Sequence, residues 1–269
     1  MAKRFALIIE SHNVVGQDLI PGAKRDADNW CAFLKSNLGG AWRSDEIIRL
    51  TKPLSIDIRI QLILHEDCYI FLAFSGHGFA ERKPSSTELI TKVCLNEKEQ
   101  AVPINEISPK RLGTAVFDCC RGLENGQGNI KIANESFSAT GGTTPLHGTT
   151  DAVWQMVTNS AQPRSQAQEV ISKEFARQIE ILQRFATVQM FSCNKNESAG
   201  EDPNAGGYYT TLLMQGARAW ADGQKANRYY AVYNTKQAHD FAAEAMKEVN
   251  PRQHPEYTPV WQSYPFAIG

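Results

Sequence analysis

The stretch DCYIFLAFSGHG (67–78) is apolar from Cys68 to Phe74 and then stops on Ser-Gly-His-Gly. An apolar run of that length makes a strand and falls far short of the roughly 20 residues that span a bilayer. It does not alternate with polar residues, so both of its faces must be covered. That is the pattern of a parallel sheet buried between helices. FALIIE (5–10) and TAVFDCC (114–120) have the same character, and EIIRL (46–50) and TVQMFSC (187–193) read as further strands. Helix patterns lie between them. KRDADNWCAFLKSNLGG (24–40) sets Ala27, Trp30, Cys31 and Leu34 at helical spacing and closes on Gly39-Gly40. SIDIRIQLILHE (55–66) has no clean period and is assigned to a helix because parallel strands need a crossover. ISKEFARQIEILQRF (171–185) and YYTTLLMQGARAW (208–220) are helical. The alternation predicts an α/β fold of three layers, a mostly parallel central sheet flanked by helices.

At 269 residues and 42% hydrophobic content, the chain suits a single domain, 1–269. From Gly122 to about residue 165 the sequence turns rich in Gly, Thr and Asn and loses its periodicity. This predicts a flexible loop or inserted segment at about 123–165 rather than a second domain. Lys and Arg (28) balance Asp and Glu (29), with no basic stripe, so neither nucleic acid nor a membrane is an expected partner. MAKRFALIIESHN turns polar too early for a signal peptide. The six cysteines form no C-x-x-C pair, and Cys31, Cys68 and Cys94 lie in apolar surroundings as buried thiols. A cytoplasmic protein without cofactor or metal is the resulting expectation. His12, His147, His239 and His254 have no partner legible in the sequence and read as surface or loop residues.

Ligands and chemistry collect at the carboxyl ends of strands in open parallel sheets. Two such ends carry unusual residues, FSGHG (74–78) and FDCCRG (117–122). Strand side chains alternate with period two, so Ser75 and His77 project one way, as do Asp118 and Cys120, while Cys119 points to the other face. If the two strands are neighbours, about 4.8 Å apart, Ser75 lies near Asp118 and His77 near Cys120. Cys120 is then the candidate nucleophile and Cys119 a packing residue. A free thiol titrates near about 8.5, and an adjacent imidazole can deprotonate it during attack. The N–H groups of Gly78 and Cys120 can face a developing oxyanion. Two bland alternatives stay open: Cys120 as a buried thiol, and Asp118 as the ion-pair partner of Arg121.

With FSGHG followed by DCCRG, Cys120 lying 43 positions after His77, the chain resembles the caspase and metacaspase family of cysteine peptidases. PGAKRDADNWCAFL is similar to the metacaspase first-helix segment, YYTTLLMQGARAW to the late helix, and MFSCNKNESAGED to the strand and acidic loop before that late helix. The resemblance implies a caspase-like fold and a Cys-His dyad of Cys120 and His77. Metacaspases place acidic and hydroxyl residues where this chain has Asp26, Ser75 and Asp118, lining a pocket for Arg or Lys. Cleavage after Arg or Lys of protein substrates is therefore the implied activity. After Cys120 the chain departs from the metacaspase His-Ser-Gly with Arg-Gly-Leu, and it has Ala23 and Arg25 where Cys and Asn are common. No acidic cluster for calcium is legible between the motifs.

The resemblance further implies a regulated effector, since stand-alone bacterial members often serve antiviral defence or programmed cell death. The resting protein is expected to be weakly active. Segment 123–165 would switch it on, by self-cleavage at Arg121, Lys131 or Arg164 or through a small-molecule or protein activator. Two other functions fit the same residues: a catalytically silent caspase-like scaffold, and a sensor whose sheet-end pocket binds a small signalling molecule.

Overall fold

A computed structural model describes residues 2–83, 85–123, 165–182, 186–224 and 230–269. The expected inserted segment therefore lies, apart from its two ends, outside the described residues, together with His147, Lys131 and Arg164.

Five strands form the parallel body of a six-stranded sheet: β1 (Arg4–Ser11), β2 (Ile47–Thr51), β3 (Tyr69–Gly76), β7 (Gly113–Asp118) and β8 (Thr187–Phe191). β12 (Glu256–Thr258) adds an antiparallel edge, giving the order β12-β8-β7-β3-β1-β2. The switch point, where successive strands leave β1 in opposite directions, lies between β1 and β3. Every residue of these three strands is buried, as their unbroken apolar character requires.

Period two divides the core into two layers. On one face Ala6, Ile8, Phe71, Ala73 and Val116 pack beneath α1 (Pro21–Lys35), α4 (Gln166–Leu182), α5 (Tyr208–Gly223) and α6 (Thr235–Val249). Trp30 of α1 anchors this layer, with its ring centroid 5.0 Å from that of Phe71. On the other face Phe5, Leu7, Ile9, Leu72, Phe74, Phe117 and Cys119 pack against Ile58 and Leu62 of α2 (Ser55–Leu64) and Ile104 and Ile107 of α3 (Ile104–Ile107). The crossover assigned to 55–66 is thus a helix. Among the described residues no helix is long and apolar enough to cross a membrane.

Other elements escaped the sequence reading. β4 (Gly78–Arg82), β5 (Leu89–Val93) and β6 (Val102–Pro103) form a small antiparallel sheet hung on the end of β3. β9 (Glu201–Asp202) and β10 (Gly206–Gly207) make a two-residue ladder, and β11 (Val232–Asn234) pairs with β13 (Pro265–Ile268). These are too short to carry a period. α6 is different: its buried face is Ala238, Ala242 and Met246, small residues with a weak apolar signal. Its start is capped, because the Asn234 side chain accepts from the Gln237 N–H and the Gln237 side chain answers the Asn234 N–H. Cys31 and Cys68 are half-buried, so only Cys94 of the three expected buried thiols is fully enclosed.

Candidate active site

Register settles which strand ends meet. β3 pairs with β7 in parallel, and Ser75 stands directly opposite Asp118. Ser75 and Asp118 lie on the α1–α5 side of the sheet, while Cys119 sits in the opposite core layer, 2% exposed. Burial, with Cys193 and Cys120 nearby, pushes the Cys119 thiol well up, so it stays protonated and inert.

His77 follows the last residue of β3 and is buried. Its Nε2 lies 2.6 Å from the backbone carbonyl of Asp18. A carbonyl can only accept, so Nε2 carries the proton and a neutral His77 keeps its lone pair on Nδ1. Gly78 then brings β4 against the cysteine pair. A Cβ at Gly78 would lie 2.7 Å from Cys119 Sγ and 2.9 Å from the Cys120 carbonyl oxygen, so only glycine fits. Cys94 N–H bonds to the His77 carbonyl, which makes Gly78 and Val93 a non-hydrogen-bonded pair of the antiparallel ladder. The Gly78 N–H therefore points away from β5, to the edge where Ala80 N–H reaches the Gly122 carbonyl. Neither it nor the Cys120 N–H has a partner among the described residues.

Cys120 is half-buried. Its Sγ accepts the Ala199 N–H at 3.3 Å and lies 3.7 Å from the Ala199 carbonyl. Burial raises the thiol pKa, partly opposed by Ala199 and Ser198. Among the described residues no hydrogen bond joins it to His77. The thiol is held on the loop after β8. That loop is itself pinned: Gln253 bridges the Ser192 carbonyl and the Gly200 N–H, and His254 bonds Glu197. Ser192 links the two strand ends by accepting the Cys119 N–H and donating to its carbonyl.

The acidic residues converge around the β9–β10 turn. Ser75 Oγ donates to Asp26 Oδ2 at 2.6 Å, and Gly207 N–H donates to Asp26 Oδ1 at 2.9 Å. Asp118 Oδ2 accepts from the Thr210 N–H at 3.1 Å and its hydroxyl at 2.8 Å. A Cβ on Gly207 would stand 2.3 Å from Asp118 Oδ2 and 3.0 Å from Asp26 Oδ2, which measures how closely the two carboxyls flank this glycine. Glu201 pairs with Gly207 in the ladder and adds a third carboxyl. Burial raises the pKa of all three; that of Glu201 is pushed up to about 7, with the charge of Asp118 contributing. Among the described residues none of the three is paired with a lysine or arginine.

Arg121 does not neutralise them. Its guanidinium donates to Thr91 Oγ1, the Cys193 carbonyl and Glu256 Oε2, and lies 4.0 Å over the Phe191 ring. This removes the reading of Asp118 as its partner. Being 1% exposed, Arg121 is also removed from the expected self-cleavage positions. Of the histidines, His239 needs correction, being buried on α6 against the Tyr209 hydroxyl, while His12 and His254 do lie in loops, bonded to Glu10 and Glu197. Sequence reasoning missed Glu201, Thr210 and the Asp18 carbonyl. Only Glu201, in the acidic run GED, left a chemical signal.

A caspase-domain family profile matches residues 3–263. No curated protein sequence matches the chain significantly. Among solved structures the chain is similar to caspase-1 from Spodoptera frugiperda, at 11% identity and a TM-score of 0.53 over 96% of this chain and 87% of that one. It is equally similar to a Geobacter sulfurreducens protein, at 15% identity and a TM-score of 0.53 over 99% of both chains. At these identities the two structures share the fold.

Proposed function

The chain belongs to the caspase-domain family of cysteine peptidases, and on that premise we propose that it is an endopeptidase of metacaspase type cutting after Arg or Lys. Cys120 is the nucleophile, His77 the general acid–base, and Asp26, Ser75 and Asp118 line the pocket for the basic side chain. Cys120 Sγ bonds to the scissile carbonyl carbon, and its proton passes through His77 to the leaving amine as the C–N bond breaks. The N–H groups of Gly78 and Cys120 face the oxyanion. Water, deprotonated by His77, then cleaves the thioester and restores the thiol.

The observation that carries the specificity is the set of three carboxyls, buried Asp26 and Asp118 with half-buried Glu201, which have no lysine or arginine partner among the described residues. Buried like charges are unfavourable unless something neutralises them, and a guanidinium entering the site does so with bidentate geometry. An acidic side chain of a caspase-type substrate would be repelled. The hold of Ala199 on Cys120 supports a restrained resting state, in keeping with a regulated effector of defence or cell death.

Incubating the pure chain with fluorogenic peptides ending in Arg, Lys or Asp tests this reading. Cleavage of the basic pair with an idle acidic peptide is expected. Preference for Asp would remove the pocket assignment, and no cleavage even with an Arg-directed thiol-reactive probe would favour the silent scaffold.

A further inference from the structure

The Asp18 carbonyl that holds His77 belongs to the loop 12–20 between β1 and α1. This loop closes on itself through Ile20 N–H to the His12 carbonyl at 2.9 Å, around a turn from Gln17 N–H to the Val14 carbonyl. Val15 and Leu19 are 74% and 61% exposed, whereas Val14 is 4% exposed, so the loop is held from its β1 side. Its base adds to that hold. There the Ser11 hydroxyl donates to the Leu95 carbonyl, and His12 Nδ1 donates to Glu10 Oε2 at 2.5 Å.

Glu10 is a carboxylate at the end of the apolar run Phe5–Ile9 of β1. It stands in register with Ser75, on the same face of the sheet, and is 2% exposed. A buried carboxylate persists only with donors around it. Thr51 Oγ1 reaches Glu10 Oε1 at 2.8 Å, and Arg49 Nη2 lies 3.5 Å away while its Nη1 binds Asp28 of α1. Burial raises the Glu10 pKa, but the bonds and charges of His12, Thr51 and Arg49 outweigh it and leave the carboxyl below its ordinary value. The ionised group thus ties β1, β2 and α1 to the first residue of the loop.

We propose that the Glu10–His12 pair is a positioning device for His77: it fixes the loop that presents the Asp18 carbonyl and so keeps the imidazole proton on Nε2. The inference rests on His77 being the acid–base residue. Its test reads the tautomer directly and so does not depend on peptidase activity. Nitrogen-15 NMR of histidine-labelled protein should show Nε2–H at His77 in the parent and a mixture of tautomers in His12→Ala. Kinetics with an Arg-ending peptide should show kcat down about tenfold with KM unchanged, a fraction of the full acid–base contribution. His12→Asn, whose amide can still donate to Glu10, should restore most of both readouts. His12 is partly exposed, so its variants are expected to fold, and thermal unfolding of each confirms that. An unchanged His77 tautomer in His12→Ala overturns the inference, as does a loss confined to melting temperature. If no peptide is cut by the parent, the peptidase reading fails while the tautomer result still decides this one.

Discussion

Asp118→Asn separates the cost of the acidic pocket from its use. The amide keeps the volume of the side chain, and its oxygen can still accept both Thr210 hydrogen bonds. What disappears is one negative charge facing the substrate cation. Breaking a buried pair by removing one partner costs about 3–5 kcal/mol. Asp26 and Glu201 remain to meet the guanidinium, so the lower figure applies, about 3 kcal/mol or roughly two decades in kcat/KM for an Arg-ending peptide. The stability of the free enzyme should move the other way. Burial raises the Asp118 pKa in the folded state, whereas in the unfolded chain it titrates at its ordinary value. Between these values the folded state binds the extra proton, so stability falls as pH rises through that window and stays low above it. Asp118→Asn should therefore melt higher than the parent at pH 7.5, with the difference shrinking towards pH 4. Steady-state kinetics with Arg- and Asp-ending peptides, melting curves at both pH values and the alkylation rate of Cys120 make up the assay. A lower melting temperature at pH 7.5 combined with unchanged Arg-peptide kinetics would refute the reasoning.

Three further outcomes follow from the site. Cys120→Ala should abolish cleavage with the fold intact while Cys119→Ser retains most activity, as circular dichroism and peptide turnover will show; the reverse pattern would invalidate the face assignment. Because Glu201 titrates near about 7, binding of Arg-ending peptides should tighten as pH rises from 6 to 8 and Glu201 ionises; Glu201→Gln should flatten that KM profile. Gly78→Ala should cut kcat by two decades or more, since the new methyl needs the space of Cys119 Sγ and the Cys120 carbonyl and tilts an oxyanion donor, an effect of about 3 kcal/mol. Normal turnover by a folded Gly78→Ala chain would count against Gly78 as a donor.

Local chemistry by itself determined the sheet. The apolar runs at 5–9, 68–74 and 115–117 read as strands covered on both faces, and period two then separates Cys119 from Cys120. The same runs mark where the strands end, and so put Ser75, His77, Asp118 and Cys120 at strand ends. Tertiary structure decided what each of these groups touches. Asp118 meets Thr210 and the β9–β10 turn, elements about 90 positions away, because α5 docks on that face; no spacing in the sequence encodes that docking. Arg121 beside Cys120 turns to Glu256 of the edge strand β12. Ala199 reaches Cys120 through peptide groups, which every residue carries and no sequence pattern can distinguish. Side-chain direction along a strand is a local property and legible; the partner waiting there depends on how distant helices and turns pack.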